Sequence, residues 1–174
     1  IPIKGKNFDG HDYIDNAFKK GAFASLTANY QKIKDYGKPI IFVKDTQKAL
    51  IKIAQYSRVR NKNLVTICIT GSSGKTTLKE WIFEILKEYK PSYCNKGNLN
   101  NEIGMPLTLS NMPKNTKFCI LELGMNSPGE IKRLSKIAIP KISIITNIGT
   151  AHSGNFKKLE EIANEKSDIF SFLD

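Results

Sequence analysis

Hydrophobic and polar positions in this chain fall into blocks whose character changes near residue 64. Before it, short apolar pieces are separated by turn signals. Asp9-Gly10-His11-Asp12 reads as a turn, residues 13–20 have helical spacing and stop at Gly21, and residues 22–26 and 40–43 read as short strands. Tyr36-Gly37-Lys38-Pro39 turns between those strands, and Asp45 stands where it can cap a helix carrying Ala49, Leu50, Ile53 and Ala54 on one face. Residues 58–63 are polar and basic, which marks a linker and divides the chain into units 1–63 and 64–174.

The second unit has longer blocks. Residues 65–70 form an apolar, β-branched run, as a strand buried on both faces requires. Leu78, Trp81, Ile82, Ile85, Leu86 and Tyr89 then recur at helical spacing. Residues 118–123 and 142–147 read as further strands, and Ser127-Pro128-Gly129-Glu130 has the form of a capping box opening a helix to about Ile139. A last helix is predicted from about residue 157 to 173. Strands alternating with helices predict an α/β fold with a parallel sheet.

The most specific stretch follows the first of these strands: Gly71-Ser72-Ser73-Gly74-Lys75-Thr76-Thr77. Two glycines let the backbone turn tightly and bring its N–H groups up to a polyphosphate, and the next helix begins with its positive end facing the anion. Lys75 would reach the β- and γ-phosphates and the Thr76 hydroxyl would sit on Mg²⁺. The common phosphate-loop spacing has an earlier glycine where this chain has Ile69. The other reading of the stretch is a tight turn before a helix with a solvated lysine.

Bulk properties narrow the setting. At 174 residues the chain is long enough to bury a core without staples. No apolar run approaches the roughly 20 residues of a membrane helix. Cys68, Cys94 and Cys119 are odd in number and widely spaced, which predicts reduced thiols and a cytoplasmic setting rather than a disulfide framework. The net charge of +11 invites a nucleic-acid reading, but Arg58, Arg60 and Arg133 are the only arginines and the lysines are scattered. No nucleic-acid partner is expected. Both ends of the sequence run through predicted structure, which suggests a piece of a longer protein.

Other candidates gather at the carboxyl ends of the predicted strands, where ligands of such sheets bind. Glu122 closes an apolar strand and either holds Mg²⁺ or faces water. His152 follows the third strand of this unit and is either a ligand contact or a satisfied loop residue, while Asn147 at the strand's end either orients a ligand or only caps the strand. Lys166 falls on the apolar stripe of Leu159, Ile162, Ala163, Ile169, Phe170 and Leu173, where periodicity alone favours a snorkelling side chain over one aimed into a crevice. Residues 95–106 carry four asparagines and two glycines, either a turn-rich loop or a set of amides, Asn98, Asn100 and Asn101 among them, reading a polar ligand.

Together these motifs resemble the Mur ligases, the ATP-dependent amide-forming enzymes of peptidoglycan synthesis. Residues 70–77 are similar to that family's own phosphate loop, which accounts for Ile69. Residues 9–14, 95–109, 121–126 and 146–152 are similar to the branch that joins D-alanyl-D-alanine to a UDP-MurNAc-tripeptide through an acyl phosphate. The resemblance implies ATP and Mg²⁺ as cofactors and a monomer. It assigns Gly71 to Thr77 and Asn147 to the nucleotide, Lys75 to charge on the transferring phosphoryl, and Thr76 and Glu122 to a first Mg²⁺. His152 would bind a second Mg²⁺, joined by Lys166 if that lysine is carbamylated. The resemblance also makes residues 1–63 the latter part of a UDP-precursor-binding domain and 64–174 the first half of the P-loop ATPase domain, with the carboxyl-terminal ligase domain absent and the piece alone inactive. The alternatives are the tripeptide-forming member of the family, folylpolyglutamate synthase, or a non-catalytic P-loop switch.

Overall fold

The computed structural model describes residues 1–5, 7–149, 155–156 and 158–174. The chain divides into two compact units, Ile1–Lys52 and Ile53–Asp174. The division falls inside a helix, ahead of the polar stretch 58–63.

In the first unit a 3-10 turn, Gly10–Tyr13, leads into α1 (Ile14–Lys19), and β1 (Ser25–Thr27) pairs in parallel with β2 (Ile40–Phe42). The Asp-Gly-His-Asp turn is held by its own side chains. Asp9 accepts from the His11 amide at 3.0 Å and from His11 Nδ1 at 2.6 Å, while His11 Nε2 accepts the Ala28 amide at 3.0 Å. A Cβ on Gly10 would lie 2.6 Å from the Ile3 nitrogen, so only glycine fits there.

Helix α2 (Thr46–Val59) crosses the division and begins where expected, with the Lys48 amide donating to Asp45 at 2.9 Å. Its buried stripe is Thr46, Leu50, Ala54 and Ser57, whereas Ile53 is exposed. The face is therefore rotated from the predicted one, because Thr46 and Ser57 are small enough to be buried.

The second unit is built on a four-stranded parallel sheet in the order β4 (Ser92–Cys94), β5 (Phe118–Glu122), β3 (Val65–Thr70), β6 (Ile142–Ile145). The short β4 has no apolar period of its own and is not legible in the sequence. Register decides which side chains share a face: Ile67 pairs with Ile120 and Ile69 with Glu122. Ile67, Ile69 and Ile120 pack against Leu78, Ile82, Phe83 and Leu86 of α3 (Lys75–Lys87). The alternate positions Cys68, Cys119 and Leu121 face the other way and are wholly buried.

Four expectations need correction. Trp81, Ile85 and Tyr89 are 65%, 60% and 74% exposed, so only Leu78, Ile82 and Leu86 of the predicted stripe reach the core. Helix α4 (Gly104–Ser110) begins within the stretch read as loop. The predicted capping box is not the cap of α5 (Glu130–Ala138): the amides of Gly129 and Ile131 donate instead to Glu165 at 2.6 and 2.9 Å. Glu165 belongs to α6 (Leu159–Ser167), which is followed by a 3-10 turn, Asp168–Phe170, rather than continuing to 173.

Candidate functional site

The stretch after β3 adopts a phosphate-loop geometry. Gly71 has φ +151° and Gly74 φ +74°, conformations that side chains disfavour. A Cβ on Gly71 would also sit 1.9 Å from Thr146 Oγ1. The loop is sewn to the end of β6: the Ser72 and Ser73 amides both donate to Asn147 Oδ1 at 3.0 Å, Asn147 Nδ2 donates to Ser73 Oγ at 2.7 Å, and Thr146 Oγ1 donates to the Ser73 carbonyl at 2.6 Å. Asn147 thus shapes the loop. The amides of Lys75, Thr76 and Thr77 open α3 and have no carbonyl behind them within the helix, which makes that end an anion site.

A cleft of about 220 Å³ opens beside this loop, lined among others by Gly71, Lys75, Asn100, Asn101, Glu122 and Lys166. Lys75 Nζ donates to the Gly71 carbonyl at 2.8 Å. Thr76 Oγ1 donates to Glu122 Oε2 at 2.7 Å, and Asn100 Nδ2 donates to Glu122 Oε1 at 2.8 Å. Glu122 reaches Thr76 because it shares the α3 face of the sheet with Ile120.

The asparagines divide. Asn100 and Asn101 line the cleft, and Asn101 Oδ1 accepts the Ile103 and Gly104 amides at 3.1 and 2.8 Å, opening α4. Asn98 is exposed and its carbonyl accepts the Asn100 amide at 2.8 Å. A Cβ on Gly124 would lie 2.9 Å from the Asn100 side-chain amide, which would have to shift.

Lys166 does not snorkel. It is 1% exposed, its Nζ lies 3.8 Å from Met125 Sδ, and it lines the cleft with Lys75. Burial first, and then the Lys75 charge, pull its ammonium down to about 8, against the opposing pull of Glu165. Glu165, gripping the start of α5, anchors the helix that presents Lys166. His152 lies outside the described residues.

Among the described residues no three or more His, Cys, Asp or Glu side chains gather to hold an ion. What is present is one hydroxyl and one carboxylate, touching, at the mouth of an anion-binding loop. That donor set fits Mg²⁺, which takes hard oxygen ligands, keeps several waters and uses few carboxylates alongside substrate phosphates.

This arrangement has counterparts. Residues 69–174 match the Mur ligase middle domain. The chain belongs to the Mur ligase family. It is 39% identical over 173 residues to the UDP-N-acetylmuramoyl-tripeptide-D-alanyl-D-alanine ligase of Bacillus subtilis (strain 168), covering 99% of this chain and 38% of that protein. The same-named ligase of Buchnera aphidicola subsp. Baizongia pistaciae (strain Bp) is 44% identical over 170 residues, covering 98% and 36%. Among solved structures, MurF from Acinetobacter baumannii superposes with a TM-score of 0.89 at 36% identity, covering 99% of this chain and 38% of that one. MurF ligase from Thermotoga maritima in complex with ADP gives 0.85 at 35% identity, covering 99% and 40%. The chain thus spans about 38% of the length of the Bacillus ligase it matches.

Two buried residues bonded to each other and, through Asn95, to the Glu122 backbone escaped sequence reasoning, Lys79 and Asn95. Lys79 carried a readable signal, since it stands three, four and seven residues before Ile82, Phe83 and Leu86, the anomaly that singled out Lys166. Nothing distinguished Asn95 from its neighbouring asparagines.

Proposed function

We propose that this chain is the phosphate-binding part of a ligase that adds D-alanyl-D-alanine to a UDP-MurNAc-tripeptide at the expense of ATP, in peptidoglycan synthesis. The observation that carries the reading is the touching Thr76–Glu122 pair beside the phosphate loop, in a cleft that also holds Lys75 and the buried Lys166. The names of the relatives supply the substrate class.

In this reading Lys75 and the opening amides of α3 hold the polyphosphate and absorb its developing charge. Thr76 and Glu122 hold Mg²⁺, which supplies charge neutralisation at the transferring phosphoryl when bound. A carboxylate oxygen of the tripeptide attacks the γ-phosphorus and ADP departs. The amine of D-alanyl-D-alanine then attacks the acyl carbon, phosphate leaves with the electron pair of the C–O bond, and the amine's proton is lost. His152 and Lys166 bear on the acceptor side. A Lys166 amine pulled down to about 8 keeps a minor unprotonated fraction near neutrality, far larger than an ordinary lysine's, and that is the form carbon dioxide requires for carbamylation.

Residues 1–63 serve in this reading as the latter part of the UDP-precursor domain, and residues 64–174 as the first half of the ATP domain. The ligase works as a monomer in the cytoplasm, without nucleic acid. Three free cysteines support that setting, and no helix among the described residues is long and apolar enough to cross a membrane.

The test is phosphate release from ATP by the full-length polypeptide bearing this sequence, with Lys75→Ala as the blank. Release that needs both UDP-MurNAc-tripeptide and D-alanyl-D-alanine, and is lost in the blank, supports the reading. Release indifferent to both would leave a nucleotide switch and reject the ligase.

A further inference from the structure

Lys79 has no exposed surface, an unusual state for a lysine. It stands one turn after Thr76 on α3. Its Nζ donates to the Asn95 carbonyl at 2.7 Å and lies 2.9 Å from Glu80 Oε1. The Glu80 side chain is 49% exposed, so the buried partner of the ammonium is the carbonyl rather than the carboxylate.

Asn95 is wholly buried as well, one residue beyond β4. Its side-chain amide engages both backbone groups of Glu122: Oδ1 accepts the Glu122 amide at 2.9 Å and Nδ2 donates to the Glu122 carbonyl at 3.1 Å. Nδ2 also donates to the Leu99 carbonyl at 3.0 Å. One side chain here does what a neighbouring strand's backbone does elsewhere in the sheet, and it also pins the loop that leads to Asn100. The carboxylate of the same Glu122 is held from its other end by Thr76 and Asn100.

We propose that Lys79 and Asn95 are positioning residues of the nucleotide–metal site. The buried ammonium of Lys79 locks Asn95, and Asn95 sets the height of the Glu122 carboxylate against Thr76 and the course of the loop at residues 96–101. The inference rests on the reading of Thr76 and Glu122 as the Mg²⁺ site. A hydrogen bond from a charged donor is roughly twice as strong as a neutral one, which suits a tie that holds Asn95, and through it the acidic strand, to the phosphate-loop helix. Mg²⁺ demands near-ideal octahedral geometry, and outer residues that orient its ligands typically change metal affinity about 10- to 100-fold.

The test uses the full-length polypeptide bearing this sequence with Lys79→Met, Asn95→Ala and Glu122→Gln. Amide hydrogen exchange without nucleotide is the first readout. Lys79→Met should speed exchange about 10- to 100-fold at residues 95–101 and 122–124, and leave β3 amides at 66–70 unchanged. A rise of equal size across β3 would make Lys79 a general stabiliser and overturn the proposal. Should Lys79→Met fail to fold, Asn95→Ala carries the same expectation and the same refutation.

The second readout is the ratio of ADP affinity in Mg²⁺ to that in EDTA. Lys79→Met and Asn95→Ala should lose the Mg²⁺-dependent gain as Glu122→Gln does; a retained gain overturns the positioning role. Failure of the unsubstituted chain to bind ADP would instead count against the nucleotide-site reading, leaving hydrogen exchange to decide the tie itself.

Discussion

Replacing Lys166 with methionine should make the chain more stable at neutral pH, and the gain should fade as pH rises. Lys166 is 1% exposed, faces the Lys75 charge, and has Met125 sulfur as its near neighbour, so among the described residues its ammonium is buried without a strong acceptor. Its pKa of about 8 in the fold compares with 10.5 for an ordinary lysine. At about 1.4 kcal/mol per pH unit, that gap is worth roughly 3 kcal/mol of stability withheld while the group is charged. Below pH 8 both folded and unfolded chains carry the proton, and the full penalty is present. Between 8 and 10.5 the unfolded chain binds more protons than the folded one, so the stability of the parent rises with pH. Methionine keeps most of the volume without the charge. Urea unfolding of both chains, in EDTA and carbon-dioxide-free buffer, should show the variant ahead by roughly 3 kcal/mol at pH 7 and by much less at pH 10. A difference that stays flat from pH 6.5 to 10 would refute the claim that burial penalises this ammonium.

Other outcomes follow from single contacts. Gly71→Ala meets Thr146 Oγ1 at 1.9 Å and a disfavoured φ of +151°, so it should abolish ADP binding and cost about 1–3 kcal/mol, read by calorimetry and thermal melting. Glu165→Ala removes the acceptor for the Gly129 and Ile131 amides at the start of α5 and should cost about 1–3 kcal/mol in urea unfolding, while Glu165→Gln, which keeps one carbonyl oxygen, should lose less. Burial pushes the Cys68 and Cys119 thiols up and denies access, whereas Cys94 is half-buried; mass spectrometry after alkylation at pH 8 should find Cys94 modified and the other two intact until the chain unfolds.

The phosphate loop, the strand before it and the helix after it were readable from residues 65–77, because glycine placement, β-branching and the Lys-Thr pair act within one turn of chain. Glu122 was readable at the end of its strand for the same reason. Local rules stop at which face of a helix is covered: Trp81 and Ile85 satisfy the same spacing as Ile82 and Leu86 but lie outside, since only the sheet decides where α3 is pressed. Partners distant in sequence were likewise beyond reach. Glu165 caps a helix begun 35 residues earlier, and Asn147 closes a loop 74 residues before it.

What the sequence determined by itself was chemistry carried by short segments: a loop that can take phosphate, an acidic strand end, and an α/β alternation that demands a parallel sheet. Tertiary structure alone decided how those pieces meet. The register Ile69↔Glu122 turns the carboxylate toward Thr76, and the buried amide of Asn95, itself bonded by Lys79, engages the Glu122 backbone. Such contacts depend on strand order and the height of one element against another, quantities set by the packing of the whole sheet and written in no single stretch of chain.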